Sequence, residues 1–345
     1  MKLAALAAGR ENNFQLLRFV AATAVIAFHC YALTNRWTDE PLWRIAPEFN
    51  LSVLGVSAFF VASGFLVTQS WLRRASISAF AAARVLRIYP ALIAATVLTV
   101  LLAGATSALP WRDFLDDPQV GSYAWRTALT WDFVAALPGA YVANPFPHAV
   151  NGSLWTLPLE VRLYVGVLVA GAFGLLARRK AWLAVVLMLC TLFLVAPQWF
   201  PLTPNVAVTR QLALLFGIGS VAYVWREHIP VSAVGLLLAV MLIAIDPLGL
   251  GRGALFPILF AYAVLVLAYH PGLYWRGFNR IGDYSYGLYI FSFPVQQSLI
   301  ARFGGPLAES PAALFAASFP LTLTLAALSW HAIERPALAL KATVR

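Results

Sequence analysis

Apolar stretches about as long as a bilayer's hydrocarbon core is thick recur from one end of this 345-residue chain to the other. That recurrence constrains the fold more than any other feature. The chain is 61% hydrophobic and 11% charged, with a mean hydropathy of +0.78, whereas a soluble domain carries about 25% charged residues. It is too apolar for a soluble core and too long for a single anchor. Ten spans are expected, at about 14–34, 50–71, 86–108, 153–177, 181–197, 207–225, 231–248, 254–270, 284–303 and 311–333, the fifth, seventh and eighth being short. The expected fold class is all-α, a polytopic membrane bundle forming a single domain over 1–345 with no appended soluble domain.

The net charge of +10 does not point to nucleic acid, because the basic residues follow a membrane topology. With ten spans both termini share a side. That side holds sixteen Lys and Arg against seven on the other, with Arg162 inside a span, which puts the termini in the cytoplasm. The acidic residues lean the other way. Met1-Lys2 before an apolar run resembles a secretory signal, but Arg10, Glu11 and Arg18 interrupt it and no small-residue cleavage site follows Cys30. The first span is therefore expected to stay attached. Cys30 and Cys190 both sit in apolar runs and imply no disulfide framework. The longest outer segment, 109–152, holds Trp111, Trp125, Trp131, Tyr123 and Tyr141, which read either as an interfacial belt or as platforms for sugar rings.

Ionisable residues within the spans are costly in lipid and mark candidate working sites. His29 lies in the first span, and Arg18 lies eleven residues earlier, within about 20° of the same helix face. A neutral imidazole suits the task of a general base toward a hydroxyl. Arg84 and Arg87, at i and i+3 before Tyr89-Pro90, share a face at the mouth of the third span and suit phosphate groups, or else are positive-inside flanks. Asn151-Gly-Ser153-Leu-Trp155 opens the fourth span, which then carries Glu160, Arg162 and Tyr164. Glu160 and Arg162 are about 200° apart, so each needs a partner on another helix, with His29 and Arg18 as candidates. Asn151-Gly-Ser153 matches a glycosylation sequon, a match discounted so close to a span. Ser63-Gly64 between phenylalanines suits close helix packing. Tyr286, Tyr289 and neighbouring serines supply hydroxyls in the ninth span, and Glu334-Arg335-Pro336 reads as an interfacial snorkel ending the last.

Taken in order, these segments resemble the acyltransferase family 3 membrane O-acyltransferases. The matching pieces are Arg18…His29, Phe59-Phe60-x-x-Ser63-Gly64-Phe65, Arg84-x-x-Arg87-Ile-x-Pro90, Ser153-Leu-Trp155-x-Leu-x-x-Glu160, Ser285-Tyr286-x-x-Tyr289 and Glu334-x-Pro336. The chain departs from many members in having Phe291-Ser292-Phe293-Pro294 where they place a histidine before the proline. The resemblance implies transfer of an acyl group, most often acetyl, from cytoplasmic acyl-CoA to a hydroxyl of a carbohydrate or glycolipid, in a bacterial inner membrane. It casts His29, Arg18 and Glu160 as catalytic, and Arg84, Arg87 and Tyr89 as binding the acyl-CoA. Ser63, Ser153, Trp155, Arg162, Tyr164, Tyr286 and Tyr289 become substrate or structural support. Acyl-CoA is then a co-substrate, with no tightly bound cofactor and no metal, and the partners are membrane lipids and the acceptor rather than nucleic acid. Direct transfer and an acyl-histidine intermediate are both open. The competing reading is a transporter or flippase of a lipid-linked sugar, since intramembrane His, Arg and Glu also line substrate pathways; the sequence shows no convincing repeat to favour it.

Overall fold

A computed structural model describes residues 1–9, 11–46, 48–196, 206–245 and 255–342. Arg10, Asp246, Arg252 and Arg345, which enter the charge count, lie outside the described residues. Among those described there is no strand, only two isolated bridges, Lys2 to Pro230 and Ala136 to Ala149. The principal helices are α1 (Phe14–Leu33), α2 (Leu51–Arg74), α3 (Ile77–Ala105), α4 (Leu157–Ala172), α5 (Arg179–Val195), α6 (Val206–Val224), α7 (Ala233–Ile245), α8 (Phe256–Tyr269), α9 (Ser285–Phe303) and α10 (Pro311–Ser329). Each expected apolar segment falls on one of them. Among the described residues, five helical stretches are long and apolar enough to cross a membrane: Phe14–Leu33, Leu51–Arg74, Ile77–Ala105, Gly152–Ala172 and Pro311–Ala339. The protein is a multi-pass, all-helical membrane protein.

Helix α3 starts well before the expected residue 86. Ser76 caps it by accepting the Ala79 N–H at 3.3 Å, and the alanine-rich turn that follows is strongly helix-forming. Arg84 and Arg87 therefore sit inside a helix, not at its mouth. Helix α10 opens on a Ser310 cap with Pro311 at its first position. It closes in a π-helical turn, Trp330–Glu334, which widens the helix and turns Glu334 inward.

The chain divides into two compact units. The first comprises Met1–Arg18, Val56–Ala81 and Leu159–Gly282. Its core is set by small residues. A Cβ on Gly64 would lie 2.0 Å from the Phe216 carbonyl oxygen, and one on Gly219 would lie 2.3 Å from the Val61 carbonyl oxygen, so α2 and α6 touch backbone to backbone. Ser220 then bonds Thr68 at 2.6 Å and accepts the Trp182 indole N–H at 3.0 Å. The N-terminal strand of chain is tied down as well, with the Asn13 amide donating to the Leu267 and Leu273 carbonyls.

The second unit comprises Phe19–Gly55, Ala82–Pro158 and Asp283–Arg345. Gly287 lets α9 meet α10, since a Cβ there would lie 2.8 Å from the Ala326 Cα. The long connection 109–152 is built into this unit. Tyr141 bonds Ser298 at 2.8 Å, Gln297 donates to the Phe146 and Ala149 carbonyls, and Asn151 donates to the Ile290 carbonyl at 2.9 Å. Thr130 reaches Tyr89 at 3.0 Å, about 24 Å along α3 before that helix ends. Tyr123 and Tyr141 are fully buried in an apolar cluster with Phe114 and Val150, so neither is part of a belt or a sugar platform. Burial pushes the Tyr141 hydroxyl up to about 12. Trp111, Trp125 and Trp131 are exposed.

Candidate active site

His29 sits in the fifth turn of α1, in the second unit, and its side chain is buried. The ring meets Phe293 of α9 edge-on, with centroids 5.1 Å apart. No hydrogen bond joins the imidazole to any described residue, and its Nδ1 is buried without a partner. A buried polar atom left unpaired is uncommon in a folded protein and expensive in an apolar medium.

Arg87, in the same unit, is held on two sides. Its guanidinium donates to Asp283 at 2.6 Å and to Glu334 at 3.3 Å, with side-chain exposures of 16%, 10% and 2%. It also lies over the Tyr286 ring at 5.7 Å. Asp283 in turn accepts from the Ser285 hydroxyl at the start of α9, and Glu334 accepts from Ser329 at 3.1 Å. Glu334 is thus an interior carboxylate, not an interfacial snorkel; the π turn carries it inward to a cation. The Tyr286 hydroxyl donates to the Ile88 carbonyl at 3.0 Å, beside Pro90, and Tyr289 bonds Thr156 at 2.8 Å. Arg84 lies one turn before Arg87 on α3 and is half-buried.

The first unit holds Glu160, Ser63 and Tyr164. Glu160 Oε1 accepts from Ser63 at 2.8 Å and from the Tyr164 hydroxyl. The i, i+4 spacing on α4 lets Tyr164 reach Glu160. In this unit the partners of Glu160 are hydroxyls. The Arg18 guanidinium lies 5.9 Å over the Phe59 ring, and Arg162 is exposed on α4. Among the described residues no group of three or more His, Cys, Asp or Glu is placed to hold a metal.

The model of the acyltransferase domain of family 3 matches residues 11–331. The chain belongs to acyltransferase family 3. It is similar to an O-acetyl transferase of Shigella phage Sf6, 31% identical over 94% of this chain and 96% of that protein. It is also similar to nodulation protein 10 of Rhizobium leguminosarum bv. viciae, 29% identical over 97% of this chain and 95% of that one. No solved structure matches. This family-3 acyltransferase is an O-acetyltransferase-like enzyme.

Sequence reasoning about this family-3 acyltransferase missed Asp283, and it misread Glu334. Both carry a signal: a carboxylate at the edge of an apolar segment. What hid their role is distance in sequence, since Arg87 lies 196 residues from Asp283 and 247 from Glu334. Tyr89, expected to bind acyl-CoA, has its hydroxyl on Thr130.

Proposed function

We propose that this protein is a membrane O-acetyltransferase that moves an acetyl group from acyl-CoA to a hydroxyl of a carbohydrate or glycolipid, with His29 as general base. The observation that carries the reading is the unpartnered, buried Nδ1 of His29 in a chain of this family. In the step we infer, the acceptor oxygen attacks the thioester carbonyl while His29 takes the hydroxyl proton. The carbon–sulfur bond then breaks, and the proton passes from His29 to the departing CoA sulfur, leaving an ester and free CoA. General base help of this kind contributes roughly 10²–10⁴ in rate.

The remaining assignments are part of the same proposal. All ten helices span the bilayer, with both termini cytoplasmic, as the positive-inside excess supports. Acyl-CoA enters from the cytoplasm of a bacterial inner-membrane system, and Arg84 offers a cation for its phosphates. Arg87 carries two carboxylates, so phosphate reaching it must compete with Asp283 and Glu334; its first task is to hold the start of α9. Glu160, fixed by Ser63 and Tyr164, and Arg18 support the reaction through charge. Ser153, Trp155, Arg162, Tyr286 and Tyr289 serve as support around the substrates.

The test is transfer from radiolabelled acetyl-CoA to the glycan extract of the source cells by purified protein in proteoliposomes. Label is expected in the glycan with wild type and not with His29→Ala. Undiminished transfer by His29→Ala rejects the mechanism. ATP- or ion-driven movement of a lipid-linked sugar with no acetyl transfer would favour the transporter class instead.

A further inference from the structure

The buried surroundings of His29 contain three more polar atoms without partners among the described residues: Asn151 Oδ1, Ser153 Oγ and Gln296 Oε1. Their side chains are at most 1% exposed. Contacts within the second unit gather them around one ring. Phe293 abuts the His29 imidazole at 5.1 Å, and a Cβ on Gly152, between Asn151 and Ser153, would lie 2.5 Å from that same phenylalanine ring. Phe293 and Gln296 lie one turn apart on α9, as Ile26 and His29 do on α1.

The amide orientations follow from their partners. Asn151 Nδ2 lies 2.9 Å from the Ile290 carbonyl oxygen, and Gln296 Nε2 lies 3.0 Å from the Ile26 carbonyl oxygen and 3.0 Å from Cys30 Sγ. A carbonyl oxygen only accepts, so each amide must turn its NH₂ group toward it. That leaves both amide oxygens facing away as acceptors. Two amide oxygens, a histidine nitrogen and a serine hydroxyl make a set rich in acceptors and free of formal charge. Such a set suits a ligand that offers several O–H donors at once and is poorly matched to phosphate.

We propose that Asn151, Ser153 and Gln296 form the subsite for the acceptor sugar, taking hydrogen bonds from the hydroxyls that flank the one activated by His29. This rests on the acyl-transfer reading above and deepens it. The acceptor is a polyhydroxylated ring with at least two neighbouring hydroxyls, not an isolated alcohol.

Steady-state kinetics in proteoliposomes test it, with radiolabelled acetyl-CoA and the source-cell glycan extract each varied in turn. Ser153→Ala removes a hydroxyl that bonds no described residue, so its unfolding temperature is expected to be no lower than wild type. Its KM for the glycan extract is expected to rise about tenfold, with the KM for acetyl-CoA within twofold. Gln296→Met is expected to shift the same constant in the same direction. An unchanged glycan KM in Ser153→Ala overturns the subsite, even if Gln296→Met fails to fold. So does a rise confined to acetyl-CoA, which would assign these atoms to the pantetheine amides. Wild-type protein that transfers no label at all sinks the acyl-transfer reading itself, a result distinct from either.

Discussion

Two clusters in the second unit handle buried polarity in opposite ways. Around Arg87 every charge is answered: two carboxylates hold one guanidinium, and each carboxylate also takes a hydroxyl. Around His29 a nitrogen, two amide oxygens and a serine hydroxyl are left unanswered by the described residues within a buried setting. A closed network stabilises and positions, and breaking it leaves a buried charge exposed to an apolar medium. An open one is costly to the fold and is kept for what it binds or transforms. The contrast teaches where to look for chemistry in an apolar bundle: at the polar atoms whose partners are missing, before the charges whose partners are present.

The contrast can be broken by substitution. The largest effect is expected from His29→Ala, a fall in acetyl transfer of about 10²–10⁴, read from initial rates, with little change in unfolding temperature. Arg87→Ala should cost about 3–5 kcal/mol of stability, because two buried carboxylates lose their cation; denaturant or thermal unfolding in detergent measures it. In Arg87→Ala the unfolding transition should partly recover on adding Glu334→Gln, which removes one of the stranded charges.

Smaller effects sharpen the picture in the other unit. Ser63→Ala removes a bond to a half-buried carboxylate and is expected to cost about 1.5 kcal/mol, measured against a Tyr164→Phe variant that loses the companion bond. The smallest effect belongs to Asp39, in the short 3-10 turn Trp37–Asp39, whose carboxyl Arg44 and Arg36 hold below the usual range. A depressed folded pKa gives stability that is present above the unfolded value, near 4, and lost as pH falls through the folded one. The group is exposed, so only a slight extra acid sensitivity is expected, read as unfolding temperature against pH and absent in Asp39→Asn.

The positions of the helices were legible because lipid-length hydropathy is a coarse, one-dimensional signal. The start of α3 was not, because Ala79 to Ala83 favour a helix without being apolar enough to mark a span. His29 stood out in the sequence because an ionisable group in an apolar run does. The pairing of Arg87 with Asp283 and Glu334 was hidden, since it depends on which helices meet rather than on any local pattern. Glu160 stood out for the same reason as His29, and the i, i+4 spacing puts Tyr164 on its face, but its partner Ser63 lies on another helix, is neutral and carries no signal of its own. Tyr123 and Tyr141 looked like surface aromatics because the connection that holds them has the composition of a loop, yet it folds into the unit and buries them.

The most direct test compares the two clusters on the same preparations, measuring acetyl-transfer rate and unfolding temperature for His29→Ala and Glu334→Gln. The account predicts that His29→Ala loses its rate and keeps its stability, while Glu334→Gln loses stability by the larger margin. A His29→Ala protein that transfers acetyl groups at the wild-type rate would contradict it.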